Sequence, residues 1–201
     1  MKKVRLTTVF IMAFLSLSII SCKEAKTEKK NSTDHHTKMN HDNSDGYKTD
    51  KKEINLDGNG VLQAVLKDYF NLKDALVADD NSKAKKLGSK LAKSLGNINI
   101  LSNYSEGQKA DLKDIIEDAI EHGEHISKSD IAHQREHFKT LSKDMSDLIA
   151  ITGTSMKIYE QFCPMYDNNK GGAWLSMNEE IRNPYFGDKM LKCGKVQREI
   201  N

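Results

Sequence analysis

The sequence predicts an all-α fold: an up-and-down four-helix bundle with a small, irregular, β-containing Cys/Met module at its C-terminal end. Three observations predict it. Apolar residues between Val61 and Ile149 recur at three-four spacing in four separate runs, which is the period of a helix with one buried face. The chain has only two prolines, Pro164 and Pro184, and both lie beyond those runs. From Ser155 onward the pattern changes to β-branched and aromatic residues broken by turn residues.

The first helix is read from Val61, Leu62, Val65, Leu66, Tyr69, Leu72 and Leu76, which share one face. A shorter second run carries Ala84, Leu87, Leu91 and Leu95 and is closed by Gly96. Ser105-Glu106-Gly107-Gln108 has the form of a capping box, with Gln108 placed to reach back to the cap nitrogen. It opens a third helix with Leu112, Ile115, Ile116, Ala119 and Ile120 on one side. The fourth is expected to start near Ser127, with Asp130 in its first turn, and to run through Ile131, Phe138, Leu141, Met145, Leu148 and Ile149. Each stripe covers part of a helix only, so the faces must pack on one another, and an up-and-down bundle is the simplest solution.

Residues 1–21 have a basic start (Lys2, Lys3, Arg5) and a short apolar run from Val9 to Ile20, the pattern of an export signal. Ile19-Ile20-Ser21-Cys22 resembles a bacterial lipobox, which implies cleavage before Cys22 and acylation of that cysteine. The expected mature protein is a cell-envelope lipoprotein. Lipid on Cys22 anchors it to the inner or outer membrane, facing the periplasm or the cell surface. Residues 22–57 are dense in charged and small polar side chains and cannot bury enough surface to fold, so they read as a tether. His35, His36 and His41 within it suit weak capture of Cu(II) or Zn(II), or a plain polar spacer. Residues 58–201 are one domain, with the Cys/Met segment at 155–198. A formal charge of +2, with no basic stripe and interleaved aromatics, argues against nucleic acid.

The chemistry concentrates in the last quarter. Lys157-Ile158-Tyr159-Glu160-Gln161-Phe162 reads as a strand that leads into Cys163-Pro164-Met165. In an extended chain Cys163 and Met165 would point to one side. Asp167-Asn168-Asn169-Lys170-Gly171-Gly172 is a turn by composition. Met190 and Cys193 are one turn apart if their segment is helical, and Gly194 leaves room for a partner to approach. With Cys22 consumed by lipid, Cys163 and Cys193 form an isolated pair, each with a thioether nearby. Two thiols and two thioethers are the ligand set of a soft metal such as Cu(I). In an oxidising compartment they are equally a structural disulfide with neighbouring core methionines. Such a bridge would close a loop of about 30 residues and stabilise by roughly 3–4 kcal/mol. Both readings stay open on spacing alone.

Four further histidines flank the expected turn between the third and fourth helices: His122, His125, His133 and His137. His133 and His137 stack on one helix face. Antiparallel packing would bring two or three of the four together, enough for Zn(II) or Cu(II). The alternative is that His137, beside Phe138, is a hydrogen-bonded histidine at the edge of the core. No phosphate loop, nucleophile elbow or His-Glu-x-x-His helix occurs, and no base accompanies Cys163, so the chain does not read as an enzyme.

Tyr159-x-x-Phe162-Cys163-Pro164-Met165, Trp174-Leu175-Ser176, Asn183-Pro184-Tyr185-Phe186-Gly187 and Met190-Leu191-x-Cys193-Gly194 together resemble a family of unknown function. Gln134-Arg135-x-His137-Phe138 and Leu141-Ser142 extend the likeness, which spans residues 60–198. That family occurs in bacterial lipoproteins and appended to the adaptor subunits of copper and silver efflux pumps. The resemblance implies copper handling outside the cytoplasm, with Cys163, Met165, Met190 and Cys193 at matching positions and a heavy-metal efflux adaptor as a partner. The adaptor's own hairpin and barrel regions have no counterpart in these 201 residues.

Overall fold

The computed structural model describes residues 60–100 and 103–201. The expected signal, Cys22 and the tether histidines His35, His36 and His41 lie outside the described residues. Four long helices come first: α1 Gly60–Val77, α2 Asn81–Leu95, α3 Glu106–Lys128 and α4 Ile131–Thr152. Three strands follow, β1 Ile158–Cys163, β2 Gly172–Ser176 and β3 Lys195–Ile200, in an antiparallel sheet of order β2-β1-β3. The described chain is thus mostly helical, with a small sheet at its C-terminal end. No described helix is long and apolar enough to cross a membrane.

Local chemistry sets the helix ends. The Asp80 carboxylate accepts the Lys83 N–H at 2.9 Å and opens α2. The capping box of α3 is complete: Ser105 Oγ accepts from Gln108 N at 3.3 Å, and Gln108 Oε1 accepts from Ser105 N at 3.1 Å. Each such cap is worth about 1 kcal/mol. The fourth helix starts later than the sequence suggests. The third continues to Lys128, and Asp130 is the N-cap of α4, its carboxylate accepting from the amides of Ala132 and His133 at 3.0 and 3.1 Å. A cap sits outside the helix it opens, so an aspartate in this role marks the boundary.

The helices pack in chain order, α1 on α2, α2 on α3 and α3 on α4, and β2 lies against α4. The core contains Leu66, Tyr69, Leu72, Leu91, Phe138, Leu141 and Met145, all inaccessible to solvent. Tyr69 and Phe138 stack with ring centres 5.3 Å apart. Two glycines let α2 and α3 approach closely. A Cβ on Gly88 would lie 2.8 Å from the Gly123 carbonyl oxygen, and one on Gly123 would lie 3.1 Å from the Gly88 oxygen.

Polar side chains fasten the sheet and its loops to the helices. The Tyr69 hydroxyl accepts the Leu175 N–H of β2 at 3.0 Å and pairs with Ser142 of α4 at 2.8 Å. Glu160 of β1 accepts from Arg198 of β3 at 2.6 Å and from Ser146 of α4 at 3.2 Å. Arg135 of α4 donates to the carbonyls of Pro184 (2.8 Å) and Leu76 (2.9 Å) and to the Asp79 carboxylate (2.6 Å). Asp79 also accepts the Asp188 amide at 3.1 Å. The start of α4 is held by Gln134, fully buried, whose amide donates to the carbonyls of Asn81, Ile126 and Ser129.

Candidate functional site

Strand pairing brings the two cysteines together. The β1–β3 ladder pairs Phe162 with Lys195, so Cys163 at the end of β1 faces the residues that lead into β3. The Cys163 and Cys193 sulfurs lie 2.9 Å apart, and both are free thiols. Cys163 is fully buried and Cys193 half-buried, so the pair opens to solvent on the Cys193 side. The Cys193 thiol is pushed up to about 11, first by its hydrogen bond to Cys163, then by burial and by the Cys163 charge. The Cys193 thiol therefore keeps its proton at neutral pH.

Asn183 builds the support for Cys193. It is fully buried; its side chain donates to the Cys193 carbonyl at 2.8 Å and accepts the Tyr185 amide at 2.8 Å. Its own amide donates to Leu191 O at 2.9 Å. An Asn before a proline is a turn signal with this hydrogen-bonding habit, and Asn183-Pro184 is the local trace of this support in the sequence. Buried Gln161 donates to the carbonyls of Asn178, Glu179 and Glu180 and shapes the turn after β2.

The methionines are placed differently. Met190 ends a 3₁₀ turn, Gly187–Met190, and its carbonyl accepts the Cys193 amide at 3.0 Å, so these two residues are one turn apart as expected. Met165 lies outside the strand, which ends at Cys163. Its φ of −87° and ψ of −13° are helical, so the side-chain alternation of an extended chain, expected to put Cys163 and Met165 on one side, does not extend to it. Pro164, which cannot donate to a ladder, stands where pairing stops. Met165 is 51% exposed and lines a groove of about 600 Å³ with Glu136, Lys139, Tyr166, Asp167 and Phe186. The expected turn beyond it is left-handed at Asp167, Asn168 and Asn169, a conformation these short polar residues tolerate. Gly194 does not leave room for a partner. At φ +145° its α-carbon is pressed against Trp174 and the Phe162 carbonyl, which a Cβ would meet at 2.9 and 3.0 Å.

The four flanking histidines meet where α3 hands over to α4. His122 Nδ1 lies 3.1 Å from His137 Nδ1, and His137 Nε2 lies 3.1 Å from His133 Nε2. His133 Nδ1 is 2.7 Å from Glu136 Oε2. His122 Nε2 faces Asp144 Oδ2 at 3.9 Å, and that buried oxygen has no hydrogen-bond partner. The ring of His125 stacks on His137 with centres 4.5 Å apart, while its Nε2 turns to Glu121 at 3.4 Å. Burial, the largest cause, lowers the pKa of both His122 and His137; for His137 the neighbouring histidine charges add to it. Burial, reinforced by the Asp118 charge, pushes the Asp144 carboxyl up to about 6. Among the described residues no three His, Cys, Asp or Glu side chains are grouped to enclose a metal ion, and the histidine nitrogens are offered in pairs.

No curated protein matches this chain. No solved structure matches it either. The span that does match a known family stops short of the thiols, covering most of α1, all of α2 to α4 and the four histidines but none of Cys163, Met165, Met190 or Cys193. Residues 65–157 match the model of a family described as a protein of unknown function, DUF3347.

Proposed function

We propose that this chain is a cell-envelope lipoprotein that binds a soft metal ion, Cu(I), for sequestration or for hand-off to heavy-metal efflux. One observation carries the reading: two free thiols from distant parts of the chain stand 2.9 Å apart at a partly exposed edge. A thiophilic cation replaces the thiol protons. With metal–sulfur bonds of about 2.3 Å the sulfurs need part by only about 1 Å to flank an ion at the tetrahedral angle. The half-buried side of Cys193 is the way in, and Met190 and Met165 are the thioethers available to complete the shell. Lipid on Cys22 holds the site at a membrane, and an efflux adaptor is the natural acceptor. Binding releases the thiol protons, so affinity should rise with pH.

The same separation favours a second reading, a disulfide-stapled envelope module that binds no metal. Closing to the bond length of about 2.05 Å takes a comparable movement in the other direction. A Cu(I) competition titration on the reduced full chain, against the Cys163→Ser/Cys193→Ser variant, separates them. Tight stoichiometric binding that the variant loses, with circular dichroism unchanged, supports copper. Equal binding in both, with a wild-type chain that reoxidises to a thiol-free form, leaves the staple. If the Ser variant unfolds, Met190→Leu and Met165→Leu take its place, since swaps of similar volume preserve packing. Weakened Cu(I) binding in either supports the metal, and silence in both supports the staple.

A further inference from the structure

The row Glu136–His133–His137–His122–Asp144 is bounded at both ends by carboxylates, which when ionised only accept hydrogen bonds. It has three contacts within hydrogen-bond distance and a fourth, His122 to Asp144, that is electrostatic only, and three imidazoles with one N–H each cannot supply all four. The row is therefore one positive hydrogen short. Its ends decide where the gap falls. Glu136 takes the Nδ1–H of His133 at 2.7 Å, which leaves His133 Nε2 bare. Asp144 Oδ2, buried and without a hydrogen-bond partner, faces His122 Nε2 at 3.9 Å. The Asp144 charge favours the His122 hydrogen on Nε2, the nitrogen that faces it, and His122 Nδ1 then accepts the Nδ1–H of His137 across 3.1 Å. That leaves His137 Nε2 bare as well. The unfilled link is His133 Nε2 to His137 Nε2, two lone pairs 3.1 Å apart, which repel unless a cation lies between or beside them.

We propose that His133 and His137 are the two protein ligands of a divalent-cation site at the first turns of α4, with Glu136, His122 and Asp144 as positioning residues that keep both Nε2 atoms free of protons. Two imidazole nitrogens on one ion, with bonds of 2.0–2.1 Å, stand about 3.3 Å apart at the tetrahedral angle. The observed separation needs little adjustment. Histidine ligands whose other nitrogen donates to a carboxylate or a further acceptor are the usual outer arrangement of such sites. The His133 side chain is 53% exposed, so water can fill the remaining positions. His125 walls one side of His137 and is not a ligand, since its Nε2 is turned to Glu121. Imidazole pairs take borderline ions, and Cu(II) binds more tightly than Zn(II) at a given nitrogen site. This site is independent of the thiol pair: it uses other residues, other ions and no redox step.

The test is a calorimetric titration of the full chain with Zn(II), repeated with the His133→Ala/His137→Ala variant. Other histidines and the cysteines contribute equally to both, so the expected result is one equivalent fewer in the variant. Asp144→Asn and Glu136→Gln should keep that equivalent but bind it about 10- to 100-fold more weakly, and His125→Ala should leave it unchanged. A merely structural role for Asp144 would move the melting temperature and not the Zn(II) affinity. Identical stoichiometry and affinity in the parent and the double variant, both folded by circular dichroism, would overturn the site and leave a shared proton in the row. Should the double variant not fold, Glu136→Gln and the more exposed His133→Gln decide the matter. Weakened Zn(II) binding in both supports the site, and parental affinity in both removes it. The Cu(I) titration of the thiols is unaffected by either result.

Discussion

Asn183 is a single side chain on which the position of Cys193 depends. Its amide satisfies the Cys193 carbonyl and the Tyr185 amide inside the protein, where an unmade hydrogen bond costs about 1–3 kcal/mol. Asn183→Ala is expected to destabilise the domain by about 2–4 kcal/mol in a urea melt. It should also slow Cys163–Cys193 oxidation, which thiol alkylation followed by mass spectrometry would report; unchanged oxidation would show that the loop holds Cys193 without it. Asp79 gives a pH signature. Burial raises its carboxyl pKa, but the Arg135 hydrogen bond, the Asp188 amide and the Arg135 and Lys189 charges outweigh burial and hold it below the ordinary 3.8. A depressed carboxylate stabilises above its ordinary value and loses that contribution as pH falls through the folded one. The stability gap between wild type and Asp79→Asn should therefore be present at neutral pH and shrink below 3.8, as denaturant melts across that range would show.

Between elements, the α2–α3 crossing is the tightest feature. Gly88 meets the backbone oxygen of Gly123, and backbone cannot rotate away as a side chain can. Gly88→Ala gains about 1 kcal/mol of helix propensity but forces the helices apart. Overpacking of this kind costs about 1–3 kcal/mol, so a net loss of stability is expected on thermal melting. The consequence is more than stability. Gly123 immediately follows His122, so a displaced α3 should lengthen the His122–His137 contact and weaken Zn(II) uptake. A variant that melts lower yet binds Zn(II) as the parent does would separate the crossing from the histidine row. Gln134 works at the same level, tying α2, the end of α3 and the start of α4 through one buried amide. Its replacement by Leu would remove that shared donor from all three carbonyls.

At the scale of the molecule, Arg135 joins three regions: the end of α1, α4 and the loop that precedes Cys193. Arg135→Ala removes donors from two backbone carbonyls and from Asp79 at once. A loss of about 3 kcal/mol is expected, from hydrogen bonds to a charged group at about 1.5–3 kcal/mol each with partial rescue by water. Hydrogen exchange should show it first in residues 183–193. Oxidation acts on the whole chain in the opposite sense. Closing the loop between Cys163 and Cys193 should raise stability by about 3 kcal/mol over the reduced form, read as the difference between melts with and without reductant. No difference would mean that residual structure already confines these ends in the reduced, unfolded chain.

What the sequence by itself determined is local. Three-four spacing marked the four helices, Ser105 and Gln108 marked a cap that forms as a reciprocal pair, and the residues from Lys157 to Phe162 marked a strand. Each of these depends on neighbours within a turn or two, and so is written in consecutive residues. The late start of α4 was also local but ambiguous, because Asp130 suits a cap and a first turn alike. What only the tertiary structure decided are meetings across long separations. Cys163 and Cys193 come together through strand register, and Met165 lies outside the strand because pairing stops at Cys163. His122, His133 and His137 line up because α3 packs on α4 and Gln134 ties the end of α3 to the start of α4. Arg135 reaches Pro184 across a contact that no periodicity encodes. Spacing names which side chains share a face, but register, crossing distance and the filling of buried hydrogen bonds choose which faces meet.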